Sequence, residues 1–365
     1  MSGTLWPVFA TDSKFRGYLP AERWTLCLGA GISRGIAPTW VDLAKAVVSK
    51  VFGATFDSDT FSKLVQESGR SLDAWIQAAA NEYVLRGNKL EEFKDVIESH
   101  LYSQIRERAK GLGLEKYLTK VLNFPKSEPK ERVIEVCEFI ESSLENCSLI
   151  GIANFLIDAA KSGQKPQAVL TFNADTFLET LIDLLLCRDY YKGPGPHGHP
   201  KYYFVSVKRP GSSAGNKIPI FRCHGSIAPL YDPNKKPYDS RDRLVFLEQE
   251  YLAVSSGPVA WAETVFLFHA QSTKLAFVGM SMSDSNIRRW MSTINNEKAK
   301  DMLVYGATKR INPEHIWITQ RPARDVDQRL FLVSQQHLGI RPAWVKNWGE
   351  LEKWLRNMCA IPEAV

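Results

Sequence analysis

A glycine-rich turn is the strongest chemical signal in the chain. The apolar stretch Trp24 to Leu28 runs directly into Gly29-Ala30-Gly31-Ile32-Ser33. Because glycine has no Cβ, such a turn lets the backbone come close to a phosphate group. A lone turn of this kind is also a common way to reverse the chain. A nucleotide is therefore the first ligand to consider, and other residues must support it.

Three more short polar segments follow apolar, strand-like stretches of the chain. They are Thr171-Phe172-Asn173-Ala174-Asp175, Cys223-His224-Gly225-Ser226 and Val278-Gly279-Met280-Ser281. Parallel strands end at one edge of a sheet, and open α/β sheets bind their ligands at that edge. We therefore expect the glycine turn and these three segments to form one site.

Each segment also has a structural explanation when it is taken alone. Asp175 and Asp284 both precede predicted helices, so both are candidate N-caps, and Ser281 is a third. Asn173 suits a turn, and His224 could be a hydrogen-bonded loop residue. The prediction of a ligand site therefore depends on all four segments occurring together in this order.

Strands separated by helices predict the framework that positions these segments. The pattern indicates an α/β fold with a Rossmann-like parallel sheet and flanking helices. The predicted strands are 24–28, 168–172, 202–207, 218–221, 275–278, 315–319 and 341–345. Apolar residues recur at helical spacing through residues 60–163, a stretch too long for a simple crossover. We expect an arm at 1–22, one domain at 23–358 with a helical insertion at about 55–165, and a tail at 359–365.

Composition excludes several classes of protein. The chain has 365 residues, of which 44% are hydrophobic and 24% charged, and these values are typical of a globular protein. No apolar run reaches the ~18 residues that span a bilayer, and the N-terminus shows no signal peptide, so we expect a cytoplasmic protein without a membrane partner. The six cysteines form no Cys-x-x-Cys pair, which predicts buried, reduced thiols and neither a zinc site nor a disulfide framework.

The positive charge of the chain is concentrated in one segment. Residues 201–243 hold nine Lys or Arg residues against three Asp residues, a difference equal to the whole net charge of +6. Such a segment could face an anion, including a nucleic acid. The alternative is a solvated loop surface, because moderate basicity alone is a weak signal.

Taken together, the four segments resemble the NAD site of the sirtuin family. The family pattern is Gly-Ala-Gly-Ile-Ser, then Thr-Gln-Asn-Ile-Asp, then His-Gly, then Gly-Thr-Ser. The corresponding residues here are Gly29 to Ser33, Thr171 to Asp175, His224-Gly225 and Gly279 to Ser281, with Phe172 for Gln and Ala174 for Ile. The resemblance extends from about residue 24 to 358 and implies an NAD-binding domain.

Two departures separate the chain from the sirtuin deacylases. The family's zinc ribbon, with two Cys-x-x-Cys pairs after the His-Gly, is missing from the sequence. The family's Gly-Ile-Pro-x-Phe-Arg is replaced by Gly35 to Trp40, which lacks the Arg and leaves Arg34 as the only basic residue nearby. Phe277 to Arg288 instead resembles the sirtuin-like domains of prokaryotic antiphage systems, which typically cleave NAD without an acyl-lysine acceptor.

The resemblance implies an NAD⁺ glycohydrolase that breaks the bond between nicotinamide and ribose and so depletes NAD. Asn173 would position a water molecule or the ribose hydroxyls, Asp175 would bind the nicotinamide side or stabilise the developing cation, and His224 would accept a proton. The residues expected to bind NAD⁺, the substrate, are Gly29, Ala30, Gly31, Ile32, Ser33, Arg34, Trp40, Thr171, Gly225, Gly279, Ser281 and Asp284. No metal is expected.

An enzyme that destroys a cofactor its host needs must be held inactive. The resemblance therefore implies control by assembly into a homo-oligomer or by a regulatory partner, for which a HerA-type ATPase is the candidate. Three alternatives stay open. They are an NAD-dependent protein deacylase or ADP-ribosyltransferase, a non-catalytic sensor of NAD or ADP-ribose, and a nucleic-acid-binding subunit that uses the basic segment.

Overall fold

Seven parallel strands form the centre of the structure. The computed structural model describes residues 15–143, 147–193, 200–208, 211–229, 244–256, 260–304 and 314–362. The strands are β1 (Trp24–Leu28), β2 (Ala168–Thr171), β3 (Phe204–Val207), β4 (Ile218–Arg222), β5 (Lys274–Val278), β6 (His315–Gln320) and β7 (Ile340–Val345). They lie in the order β3-β4-β2-β1-β5-β6-β7, and every neighbouring pair is parallel. The predicted α/β fold with a Rossmann-like parallel sheet is confirmed.

Fourteen α-helices surround this sheet in the described part of the chain. They are α1 (Trp40–Phe52), α2 (Ser58–Ser68), α3 (Leu72–Leu85), α4 (Leu90–Leu101), α5 (Ser103–Gly111), α6 (Glu115–Asn123), α7 (Lys130–Ser143), α8 (Ser148–Ser162), α9 (Phe177–Lys192), α10 (Glu248–Ser256), α11 (Trp261–Ser272), α12 (Ser285–Val304), α13 (Asp325–Ser334) and α14 (Leu351–Met358). Helices α2 to α8 follow one another between α1 and β2, and we call them the helical module.

The central strand β1 is buried on both faces of the sheet. All five of its residues are buried. Leu26 and Leu28 belong to the core shared with α1, α8 and α9, whereas Cys27 belongs to the core beneath α11 and α12. A parallel strand that is covered by helices on both sides explains why this segment reads as an almost continuous apolar run.

The N-terminal segment is docked against the last helix where the structure describes it. The amide of Gly17 donates to the carbonyl oxygen of Asn357 at 3.1 Å, and that of Leu19 donates to Met358 at 2.9 Å. Phe15 is buried. Phe15 and Leu19 therefore contribute to the core. Residues 1–14 of the expected arm, 209–210 and 230–243 of the basic segment, and 363–365 of the tail lie outside the described residues.

The helices and the cysteines can be compared with what composition predicted. None of the helices in the described ranges has the length and apolar character needed to cross a bilayer. All six cysteines lie in described ranges and are free thiols, of which five are buried and Cys147 is half-buried.

Candidate active site

A cavity of about 870 Å³ lies at the carboxyl ends of β1, β2, β4 and β5. This volume is within the range of pockets that bind small molecules and cofactors. Eleven of the fifteen residues predicted for the site line it: Gly29, Ala30, Gly31, Arg34, Trp40, Asn173, Asp175, His224, Gly279, Ser281 and Asp284. Ile32, Ser33, Thr171 and Gly225 belong to the same segments without lining the cavity. The structure thus brings the four predicted segments together.

The glycine turn is packed tightly against the segment that follows β5. A Cβ atom on Gly31 would lie 2.8 Å from the carbonyl oxygen of Gly279, and one on Gly29 would lie 2.7 Å from the same atom. The amides of Gly29 and Gly31 already donate to the carbonyl oxygens of Val278 and Gly279, at 3.0 and 2.9 Å. Both glycines are therefore required by contact between two backbone segments, and these two amides are engaged within the protein.

Gly279 is the most constrained glycine of the cavity, and we predict that Gly279→Ala strongly lowers the free energy of unfolding. Its φ is +68°, and a Cβ there would lie 2.6 Å from Cγ2 and 2.7 Å from the amide nitrogen of Ile32. Left-handed backbone costs a non-glycine residue about 1–2 kcal/mol, and the overlap should add about 1–3 kcal/mol. Urea denaturation measures the loss of unfolding free energy.

Gly113→Ala is the matched control for this substitution. Gly113 has a similar φ of +71°, but none of the described residues has an atom within 4 Å of its Cβ position. Gly113→Ala should therefore lose only the part of the unfolding free energy that comes from left-handed backbone strain. Equal losses in the two variants would mean that the contact between the glycine turn and the segment after β5 adds nothing to stability.

Asn173 follows β2 and has one unused polar atom. Its amide donates to Oγ1 of Thr171 at 3.2 Å, which fixes the turn at the end of the strand. Asn173 is only 3% exposed, yet its Oδ1 has no hydrogen-bond partner among the residues that the structure describes. Buried side-chain oxygens are normally paired, so a lone one in a residue that lines a cavity calls for a ligand or a water molecule.

His224 follows β4 and has the second unused polar atom. The ring is 4% exposed and lies edge-on between Phe172, at 5.0 Å, and Tyr251, at 5.3 Å between ring centroids. Within the described part of the chain, its Nε2 has no hydrogen-bond partner. Burial lowers the pKa of His224 to about 4, and the nearby charge of Asp284 opposes this shift only in part. The imidazole is therefore neutral at physiological pH and can accept a proton.

Asp175 connects the glycine turn to the start of α9. One carboxylate oxygen accepts the amide of Phe177 at 3.0 Å, and the other accepts the hydroxyl of Ser33 at 3.1 Å. The N-cap of α9 is Thr176, so Asp175 lies one residue before the capping position expected from the sequence, and its bond to Phe177 forms an Asx turn there. Burial raises the pKa of Asp175, and the guanidinium of Arg222 opposes that shift. Asp175 therefore holds the site together through both of its oxygens.

Arg222 is the last residue of β4 and lies beneath the cavity with 1% of its surface exposed. Its Nη1 donates to the carbonyl oxygen of Asp175 at 2.6 Å, and its guanidinium forms an ion pair with Glu179. Burial lowers the pKa of Arg222 to about 10, so the side chain is still a cation at neutral pH. In the sequence, Arg222 is only one of the nine basic residues of 201–243, which predicted an anion-facing or solvated surface, whereas the structure buries it.

Asp284 and Tyr251 complete the wall beside His224. Oδ1 of Asp284 accepts the amides of Asn286, at 2.8 Å, and Ile287, at 3.1 Å, so Asp284 caps α12 as the sequence allowed. Tyr251, which the sequence did not indicate, lies on α10. Burial and the nearby charge of Asp284 raise the pKa of Tyr251 and keep its hydroxyl protonated.

The opposite wall of the cavity is formed by residues near the start of α1. Trp40 is the first residue of that helix, and its ring meets Phe246 edge-on at 4.6 Å. Arg34 is exposed at the rim. In the described parts of the chain, no group of three or more His, Cys, Asp or Glu side chains is arranged to hold a metal ion. The cavity therefore combines an aromatic wall, an exposed cation and two unpartnered polar atoms.

Comparison with known proteins agrees with this geometry. Residues 167–342 match the family described as the SIR2-like domain. The matched range starts one residue before β2 and ends within β7, so it includes Asn173, Asp175 and His224, while the glycine turn precedes it. No curated protein matches the chain. Residues 167–342 are therefore similar to a SIR2-like domain.

Proposed function

We propose that the chain hydrolyses NAD⁺ at the bond between nicotinamide and ribose. The observation that carries this proposal is the pair of buried, unpartnered atoms, Asn173 Oδ1 and His224 Nε2, in residues that line one cavity. Two such atoms fit a polar ligand, because burial without a partner is costly. The SIR2-like domain supports NAD⁺ as that ligand.

The two residues suit different steps of this hydrolysis. The nicotinamide ring is cationic in NAD⁺ and becomes neutral when it leaves, so the reaction needs no strong general acid. Positive charge develops on the ribose, which the carboxylate of Asp175 stabilises. Asn173 Oδ1 accepts a hydrogen bond from the attacking water or from a ribose hydroxyl. As the water oxygen bonds to the ribose carbon, the neutral imidazole of His224 takes its proton.

The biological setting that we propose is antiphage defence in the cytoplasm by depletion of NAD⁺. Uncontrolled hydrolysis would harm the host, so the activity needs a trigger. We propose that one SIR2-like domain at 23–358, with the helical module inserted, is activated by oligomer assembly or by a HerA-type ATPase. The basic loop at 229–243 and the arm at 1–22 are the candidate contacts.

Release of nicotinamide is the direct test of this function. The purified chain is incubated with NAD⁺, alone and with a HerA-type ATPase or DNA, and nicotinamide is measured by chromatography. We expect release by the wild type and none by Asn173→Ala, because a water or ribose hydroxyl loses its acceptor. Asn81→Ala, which alters an exposed residue of α3, should behave as wild type.

The outcome of this assay separates the alternatives. Nicotinamide release that requires an added acyl-lysine peptide would favour a deacylase. NAD⁺ binding without release under every condition would favour a non-catalytic sensor. If Asn173→Ala released nicotinamide at the wild-type rate, Asn173 would not belong to the catalytic site.

The pH profile of the reaction tests the role of His224. The pKa of about 4 keeps the imidazole neutral far below pH 6.5. We therefore expect kcat/KM to be steady from pH 7 to about 5 and to fall only as pH approaches 4, because protonation removes the base. An acid limb near pH 6.5, with the fold intact by tryptophan fluorescence, would contradict this.

Asp284→Asn provides a matched test of the same profile. Asparagine caps a helix as well as aspartate does, so α12 should keep its N-terminus. The substitution removes the charge that raises the pKa of His224. The acid limb of kcat/KM should therefore move to lower pH than in the wild type.

A further inference from the structure

One hydroxyl of the helical module lies between two of the segments that line the cavity. Tyr102 lies between α4 and α5 and has no exposed surface. Its hydroxyl donates to the carbonyl oxygen of Ile227 at 2.7 Å. It accepts the amide of Thr176 at 3.0 Å, and Oγ1 of Thr176 is 3.2 Å away. A phenol has one donor and two acceptor positions, and this arrangement uses all three.

The partners of Tyr102 belong to the two segments that carry the proposed catalytic residues. Thr176 is three residues after Asn173, and Ile227 is three residues after His224. The two segments also touch directly, because the amide of Ile227 donates to the carbonyl oxygen of Ala174 at 2.7 Å. The hydroxyl therefore joins both segments at the point where they meet.

We propose that Tyr102 is a positioning residue, through which the helical module holds the Asn173 and His224 segments in register. Its consequence for catalysis rests on the proposed hydrolysis of NAD⁺. Arg222 supports the Asn173 segment from within the sheet, whereas Tyr102 supports both segments from outside it. A change in the module where α4 meets α5 is thereby transmitted to both proposed catalytic residues.

Tyr102→Phe isolates this contribution. Burial raises the pKa of Tyr102, so the native hydroxyl is protonated and the substitution removes no charge. The ring keeps its edge-on contact with Phe177, at 5.0 Å between centroids. The variant removes one oxygen atom and leaves the Ile227 carbonyl and the Thr176 amide without their partner.

The first measurement is hydrogen–deuterium exchange, which does not depend on activity. We expect faster exchange in Tyr102→Phe for peptides that contain Thr176 and Ile227. The matched control is Tyr117→Phe, whose hydroxyl donates to Glu135 at 2.6 Å within the helical module. Unchanged exchange in both segments would overturn the proposal. If Tyr102→Phe does not fold, Thr176→Val removes the Thr176 hydroxyl alone and tests the same segments.

The second measurement is steady-state nicotinamide release. We expect kcat of Tyr102→Phe to fall about tenfold, since small displacements of reacting groups are costly. KM should change by less than about twofold, because the residue touches no substrate. Wild-type kcat in the variant would overturn the positioning role. If the wild type itself releases no nicotinamide, the proposed function fails, and hydrogen exchange still decides whether Tyr102 holds the two segments.

Discussion

Replacing His224 by glutamine is expected to reduce nicotinamide release by about 10²–10⁴-fold, the usual contribution of a general base. Glutamine occupies a similar volume and offers a hydrogen-bonding group, but it cannot take a proton near neutral pH. Because the imidazole is neutral and its Nε2 is unpartnered, the native side chain is ready to accept one. NAD⁺ binding, measured by calorimetry, should therefore change much less than kcat.

A matched control shows whether replacing any histidine by glutamine has the same effect. His337→Gln makes the same chemical change at an exposed position outside the cavity. It should keep both kcat and the melting temperature of the wild type. If His224→Gln retained wild-type kcat with the fold intact, His224 would not be the base.

The sheet could be predicted from the sequence because each strand is a short apolar run next to glycine or polar residues. The predicted segment 24–28 coincides with β1, which is buried on both faces. Burial of this kind leaves a direct trace in composition. Strand order left no such trace, because the pairing of β1 with β5 joins segments about 250 residues apart.

Helix α13 shows where this kind of prediction fails. None of its residues is buried, and its apolar residues Val326 and Leu330 are exposed. Its start is supported by acidic residues in the first turn and by an ion pair between Arg324 and Asp327 at 2.7 Å. Such local charge effects are worth only tenths of a kcal/mol and resemble ordinary loop sequence.

Some residues of the candidate site could likewise be predicted from the sequence, and others could not. Asn173 and His224 could be predicted because each lies two residues after the end of a strand, and parallel strands end together. Tyr251, which lines the cavity, and Tyr102, which supports two of its segments, could not be predicted, because their positions depend on how the helices pack. The requirement for glycine at positions 29 and 31 was predicted for a phosphate, yet the structure explains it by the close approach of Gly279.

Arg222→Met should cause the largest loss of stability among the variants considered. Arg222 is buried and pairs with Glu179, whose side chain is 21% exposed, so its removal leaves a mostly buried carboxylate without its cation. Breaking a buried pair in this way costs about 3–5 kcal/mol. Urea denaturation at pH 7 measures the change in unfolding free energy. The double variant Arg222→Met, Glu179→Met should recover part of the loss, because no unpaired charge remains.

Arg324→Met is the control for loss of an ion pair as such. The Arg324 side chain is 76% exposed in its pair with Asp327, and exposed pairs contribute about 0–1 kcal/mol. A loss in Arg222→Met no larger than in this control would show that the buried guanidinium does not hold the site.

The pH dependence of the Arg222→Met loss gives a sharper test, because the same guanidinium opposes the raised pKa of Asp175. Without it, the pKa of Asp175 should rise further above its unfolded value. The folded variant then binds a proton that the unfolded chain does not, so its unfolding free energy increases as pH falls. The stability difference between wild type and Arg222→Met should therefore be smaller at pH 5 than at pH 7. A difference that is constant or grows towards pH 5 would mean that Arg222 and Asp175 are not coupled.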